Sequence, residues 1–367
     1  MCNTGSARHA GQDKSDAQQF VLLKSSILQH NQQKQIGIIG NGSWGTALAK
    51  ILTDNGAEVC WWIRNTEAVD YLKTRRQNPH YLKSVKFREG AVFPTGKLEE
   101  LFSRCEIIIF CVPAAYAQGV LEQFSAVQLQ GKTIVSAIKG ILPFSNQLLN
   151  DYLVTQFGFD INQYVSITGP CHAEEVAAER LSYLTFSCLE ESRAEAVAGL
   201  FSNQYLRTTF NHDIWGAQLA AVLKNIYALG AGIAHSLDYG DNFLSVYITN
   251  CYREMYRFLQ KHFDLVHPSE DRPDFHTSAY LGDLLVTAYS LHSRNRRFGV
   301  MIGKGYSVEA TALEMNMVAE GYHAAKCMQV IASQHAIAIP IATAIYNILW
   351  QHQKPEAVFS AMEAILS

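Results

Sequence analysis

The sequence predicts an α/β fold in two parts, an N-terminal doubly wound parallel sheet followed by an all-α C-terminal part. Three observations predict it. Short, nearly continuous apolar runs alternate with helical stretches from Gln35 onward. A glycine triplet follows the first of those runs, where a strand would turn into a helix. After about Asn211 strand-like runs become rare and long helical patterns take over.

Taken in order, Gln35 to Gly40 is a compact apolar strand, and Thr46 to Asn55 reads as a helix ending at Gly56. Ala57 to Ile63 is a second strand, and Glu106 to Val112 is a third, closed by Pro113. Thr133 to Ile138 and Tyr164 to Thr168 are further strands. Apolar runs of this kind, separated by helices, indicate parallel strands covered on both faces. Phe243 to His262, Leu284 to Ser293, Ala310 to Gln334 and Ile341 to Gln351 all read as helices. The run 263–275 is polar, carries two prolines and is expected to be an exposed loop. These patterns divide the chain into a polar arm (1–34), a sheet-based domain (35–211) and a helical domain (212–367), with the change near residues 208–215.

Composition narrows the function. The 367 residues are 48% hydrophobic and 17% charged, which excludes disorder over most of the chain. The net charge is −3, so no strong basic field exists to hold nucleic acid or anionic lipid. An anionic ligand must be bound by local groups. The 8 cysteines include no C-x-x-C pair, a scatter expected of free thiols in a reducing compartment. The arm shows no charged-then-apolar signal pattern. No uninterrupted apolar stretch is long enough to span a bilayer, since Ala217 to Ala234 carries Lys224 and Asn225 at its middle. A cytoplasmic protein is expected.

Gly40, Gly42 and Gly45 form G-N-G-S-W-G directly after a strand and at the opening of a helix. The first glycine permits the tight turn, the second lets backbone approach a pyrophosphate, and the third allows close helix–sheet packing. Free N–H groups and the helix dipole would then hold the phosphates. Such a triplet can also be a purely structural turn, but strand, turn, helix and second strand stand here in the register of a Rossmann-like dinucleotide site. An acidic residue at the second strand end would grip the ribose 2′-hydroxyl; Arg64 stands there instead. A guanidinium tolerates or prefers a 2′-phosphate, so NADPH is expected to be accepted. The alternative is a surface arginine.

From Ala217 to Leu237 the helix is apolar or small all round, which marks it as buried. At 100° per residue Lys224 points away from the Leu219, Val222, Leu223, Ile226 and Ile233 face. It must reach a cleft or a buried partner. Burial lowers a lysine pKa toward the range useful for acid–base chemistry on a carbonyl or alcohol oxygen. A structural ion pair is the other reading.

The remaining motifs lie at strand and helix ends. Lys139 in S-A-I-K-G closes a strand at its carboxyl edge, where doubly wound sheets bind ligands. G-P-C-H-A-E-E-V-A (169–177) again joins strand to helix. Asp283 in L-G-D-L-L-V-T is either a helix N-cap or a site residue. Arg294, Arg296 and Arg297 crowd S-R-N-R-R-F-G, suited to a phosphate or to a solvated basic patch. The 13 histidines show no metal spacing and read as surface or core residues.

Together these motifs resemble the NAD(P)-dependent glycerol-3-phosphate dehydrogenases of the bacterial type. The resemblance runs from about Gln35 through most of the chain. It is carried by I-G-I-I-G-N-G-S-W-G-T-A-L-A, K-G at 139–140, G-P-C-H-A-E-E-V-A, A-A-V-L-K-N-I-Y-A-L-G-A-G-I-A, Y-G-D-N, L-G-D-L-L-V-T, S-R-N-R-R-F-G and V-A-E-G-Y. It implies reversible reduction of dihydroxyacetone phosphate to sn-glycerol 3-phosphate with NADPH or NADH, supply of the glycerophospholipid backbone, and a homodimer. It implies Lys224 as the proton donor, Lys139 as a second lysine on the substrate and Asp283 beside them. Gly169, Cys171, Ser293, Arg294 and Asn295 match its substrate positions. Ser43, Trp44, Arg64, Tyr116, Lys139, Ala173, Arg294, Val318 and Glu320, with the glycines of the turn, match its cofactor side. Cys171 stands where the family commonly has serine or threonine, and Tyr280 where a glycine is usual. A related two-domain NADP-dependent hydroxyacid or ketoacid reductase is the alternative, with a carboxylate where Arg294 expects phosphate.

Overall fold

Why the apolar runs are so short and so continuous is clear in the computed structural model, which describes residues 35–266, 272–315 and 319–367. Those residues form eight strands: β1 (Ile36–Ile39), β2 (Val59–Trp62), β3 (Val92–Thr95), β4 (Ile107–Phe110), β5 (Thr133–Ser136), β6 (Tyr164–Thr168), β7 (Ser182–Ser187) and β8 (Leu206–Asn211). They make one sheet in the order β3-β2-β1-β4-β5-β6-β7-β8. Every residue of β1, β2, β4, β5 and β6 is buried. Helices cover both faces, and a separate apolar cluster fills each side of the sheet. Strands buried on both faces need apolar residues at every position, so alternation disappears.

Three strands escape the sequence reading, each for a physical reason. β3 contains Pro94, which cannot donate to a ladder and is tolerated because β3 is an edge strand. β7 and β8 are rich in serine and threonine and partly exposed, so they do not stand out as apolar runs. The sheet is also not wholly parallel: β6 pairs with β7 antiparallel, while β7 and β8 run parallel to each other.

From Ile214 onward the described structure is helical. The helix Ile214–Ser236 lies at its centre, with helices Asp241–Val266, Asp283–Tyr289, Arg294–Gly303, Glu320–Gln334 and Pro340–Trp350 packed around it. It is long and apolar enough to cross a membrane, yet its apolar window is wholly buried inside the fold. A Cβ on Gly232 would come within 2.0 Å of the Arg296 carbonyl oxygen, and one on Gly299 within 2.0 Å of that of Leu229. The two backbones therefore touch where any side chain would separate them.

Several helix limits differ from the sequence reading. The span Ala310 to Gln334 is two helices, Val308–Met315 and Glu320–Gln334, because Ala319 is extended and starts the second. The helix expected to run to Ser293 stops at Tyr289, and the Ser293 side chain caps the next helix instead. The expected loop at 263–275 begins as helix, which continues to Val266, and buries Phe263 and Phe275. Its residues 267–271 lie outside the described ones, as does the arm 1–34.

Candidate active site

The strand order reverses between β1 and β4, and such a reversal opens a crevice at the carboxyl ends of the strands. The glycine turn occupies that point. Gly40 has φ +108, and a Cβ there would come within 2.7 Å of the Cys111 carbonyl oxygen beyond β4. A Cβ on Gly45 would lie 2.5 Å from the Gly40 carbonyl oxygen. Nothing stands within 4 Å of a Cβ on Gly42, so that face of the turn is open. The helix starts at Ser43, and its first intrahelical acceptor, the Gly42 carbonyl, serves Thr46 at 3.0 Å. The N–H groups of Ser43, Trp44 and Gly45 thus have no acceptor within the helix. The Trp61 indole braces the turn by donating to the Gly40 carbonyl at 2.8 Å. An open backbone cradle at a helix N-terminus fits a dinucleotide pyrophosphate.

Lys224 approaches this crevice from the helical side. Its helix is bolted to the sheet half: Gln218 Nε2 donates to Asn150 Oδ1 at 3.0 Å, and Trp215 Nε1 to Asp151 Oδ1 at 2.9 Å. Asn225 Nδ2 donates to the Lys139 carbonyl at 3.0 Å, joining the two lysine-bearing segments directly. Lys224 is 3% exposed and donates to Asp283 Oδ1, itself 1% exposed. Burial pulls the Lys224 ammonium down to about 7; the Asp283 carboxylate opposes that pull and Lys139 adds to it. Asp283 Oδ2 is shut from solvent and has no partner.

A cavity of about 250 Å³ joins these groups. Lys139, Lys224, Asp283, Arg294, Asn295 and Glu320 all line it, together with Ser43, Trp44, Tyr116, Cys171, Ala173 and Ser293. Lys139 extends over the Trp44 ring at 5.4 Å, and Arg294 Nη2 donates to Ser43 Oγ at 3.2 Å across the cleft. Asn295 is held by two bonds, its Nδ2 to Asn225 Oδ1 at 2.9 Å and its Oδ1 accepting from Gly321 N at 2.9 Å. Burial raises the Glu320 carboxyl to about 7, against the pull of Arg294. Burial likewise pushes the Cys171 thiol up to about 12.

Not every expected residue reaches the cavity wall. Gly40 and Gly45 shape the turn from behind. Gly169, at φ +115, turns the chain after β6 without lining the cavity. Arg64 is exposed beyond β2 and is also absent from the wall. Val318 falls outside the described residues. Tyr280 is buried and donates to Asp213 Oδ2 at 2.6 Å, away from the cavity. Gly42, expected at the turn, does line the wall, and the structure adds Asn225, His172 and His292 to it. His172 and His292 carry no spacing signal, because β6–helix and helix–helix loops far apart in sequence bring them together.

Residues 35–194 match the family described as NAD-dependent glycerol-3-phosphate dehydrogenase N-terminus, and residues 213–360 match its C-terminus. The chain belongs to the NAD-dependent glycerol-3-phosphate dehydrogenase family. It is 34% identical over 332 residues to the glycerol-3-phosphate dehydrogenase [NAD(P)+] of Bacillus subtilis (strain 168), covering 90% of this chain and 94% of that protein. The like-named protein of Streptococcus equi subsp. zooepidemicus (strain H70) is also 34% identical, over 87% of this chain and 92% of its own. The crystal structure of glycerol-3-phosphate dehydrogenase from Coxiella burnetii superposes with a TM-score of 0.81 at 26% identity, covering 90% of this chain and 98% of that one. The family reaction is the reversible NAD(P)H-dependent reduction of dihydroxyacetone phosphate to sn-glycerol 3-phosphate. A hydroxyacid or ketoacid reductase is not favoured.

Proposed function

We propose that this cavity reduces dihydroxyacetone phosphate with Lys224 as general acid, and the reverse oxidation with Lys224 as general base. One observation carries the reading: Lys224, Asp283, Lys139 and Arg294 converge in one cavity beside the open face of the glycine turn. When bound, NADPH or NADH supplies the hydride. Gly42, Ser43, Trp44 and Gly45 would hold its phosphates through the turn, with Tyr116, Ala173 and Glu320 further along the same wall. Arg64 would meet the ribose end.

Lys224 holds its proton with a pKa near neutrality, so it can give the proton to the C2 carbonyl oxygen at physiological pH and take it back in reverse. Asp283 keeps the ammonium in place through Oδ1, and its free Oδ2 can accept from a substrate hydroxyl. Lys139 and Arg294 supply the local positive charge that a phosphate dianion needs on a chain of net charge −3. Ser293 and Asn295 fix the loop that presents Arg294. Gly169 orients the loop carrying Cys171.

The division at residues 211–212, into a dinucleotide-binding part and a helical substrate part, follows from the same reading. Likeness to the family supports a role in glycerophospholipid backbone supply, a cytoplasmic location and a homodimer. The buried free thiols of Cys60, Cys105, Cys111, Cys171, Cys188, Cys251 and Cys327 support a reducing compartment. The direct test is oxidation of NADH and NADPH in parallel with dihydroxyacetone phosphate and with unphosphorylated dihydroxyacetone. Turnover confined to the phosphorylated ketone is expected; equal rates with both would defeat the phosphate assignment.

A further inference from the structure

We propose that His172 is a specificity-determining residue whose Nε2 hydrogen-bonds an oxygen of the phosphorylated substrate. His172 lies between β6 and the helix Ala173–Ala177 and lines the cavity with Lys139, Lys224 and Asp283. Its Nε2 is shut from solvent and has no partner. Buried ring nitrogens are nearly always satisfied, so an orphan one in a ligand cavity marks the place of a ligand atom.

Of the neutral polar groups on the same wall, Trp44 Nε1 at the glycine turn is likewise without a partner, while those nearest Lys224 and Asp283 are committed. Thr287 Oγ1 donates to the Asp283 carbonyl at 2.6 Å, and Ser293 Oγ accepts from Arg296 N at 3.2 Å. The amides of Asn225 and Asn295 bond to Lys139 and to each other. Cys171, next in the chain, offers only a thiol, which is a weak donor. Trp44 Nε1 belongs to the glycine turn, so beside Cys171, Lys224 and Asp283 it is His172 that brings a full-strength neutral hydrogen-bonding atom that nothing in the protein uses.

Burial, then the Lys139 and Lys224 ammonium groups, hold the imidazole below its ordinary pKa and so keep it neutral. A neutral ring can donate from Nε2 without adding a third charge beside the two lysines. The His292 ring, 5.9 Å away, abuts it from the loop that leads into Ser293 and Arg294. His172 therefore shares the cavity wall with the lysines and, through His292, neighbours the segment that carries Arg294. This inference rests on the cavity being the substrate site.

The test compares His172→Phe and His172→Gln in the full-length protein, with Lys224→Ala assayed alongside. Phenylalanine keeps the ring and removes the hydrogen bond, so the KM for dihydroxyacetone phosphate should rise roughly ten- to hundredfold. The kcat and the NADPH Kd should hold within about threefold, because the hydrogen bond is removed from ground and transition states alike. Glutamine, which restores an N–H donor, should recover most of the loss. An unchanged KM in His172→Phe overturns the proposal. So does a parallel loss of NADPH affinity and thermal stability that glutamine does not repair. Lys224→Ala separates the two levels: retained turnover there defeats the site reading, whereas an inactive Lys224→Ala with an indifferent His172→Phe defeats only the role of His172.

Discussion

Two lysines in this molecule sit in apolar helices beside carboxylates, and their pKa values move in opposite directions. Lys50, on the helix Ser43–Asp54, contacts Asp54 at 2.5 Å and Glu179 at 2.9 Å. Burial pulls its ammonium down, but two carboxylates and Tyr205 outweigh that pull and raise it well above the ordinary lysine value. Lys224 faces one carboxylate, a second lysine and complete burial, and falls to about 7. Burial of the lysine is common to both. What differs is the charge count around the nitrogen and the exposure of the partners: the side chains of Asp54 and Glu179 are 39% and 61% exposed, that of Asp283 only 2%. One arrangement stores charge as a structural tie, and the other leaves a proton available.

The strongest way to break this comparison is Lys224→Ala. Turnover should fall by about 10²- to 10⁴-fold, the usual share of a general acid, with NADPH binding nearly intact. Stopped-flow reduction and a fluorescence titration of NADPH would show whether the two separate. Next, the neighbours should move the proton in opposite senses. Asp283→Asn removes the group that raises Lys224, so the basic limb of the reduction profile should shift below pH 7, with a loss in kcat/KM of roughly 10²-fold. Lys139→Met removes a group that lowers it, so the same limb should shift above pH 7 while KM rises.

The unmodified protein sharpens the point through its pH dependence. Reduction needs the protonated lysine, so its kcat/KM should decline as pH rises through about 7. Oxidation of glycerol 3-phosphate needs the free amine, so its kcat/KM should climb over the same interval. Parallel limbs in both directions would mean that a different group titrates. The smallest effect belongs to Lys50→Met, which breaks a partly exposed network worth roughly 1 kcal/mol. The folded pKa of Lys50 is raised, so its contribution is full below the unfolded value of 10.5 and fades as pH climbs past it. Thermal melts at pH 7 should show a modest loss with activity unchanged, and the gap from wild type should close in strongly alkaline buffer.

Much of the fold was legible because buried strands impose an uninterrupted apolar run. β1, β2, β4, β5 and β6 satisfy that condition; β3, with its proline, and the polar β7 and β8 do not. The site was legible where chemistry leaves a local mark. The glycines after β1 and a lysine inside an apolar helix are such marks. His172 left none, since its orphaned nitrogen exists only once Lys139, Lys224 and His292 surround it.

The amino-acid sequence by itself determined the two-part architecture, the dinucleotide turn and the candidate set of Lys139, Lys224, Asp283 and Arg294. These follow from periodicity and residue chemistry over short stretches of chain. Which of these residues meet in one cavity depends on tertiary packing. Asp283 could have been a plain helix cap, and Arg294 part of a solvated patch. Close backbone contact through Gly232 and Gly299 brings the Arg294 helix against the lysine helix, and Asn225 ties that helix to Lys139. The pKa of Lys224 is a property of that packing, because desolvation and neighbouring charge act through space and not along the chain.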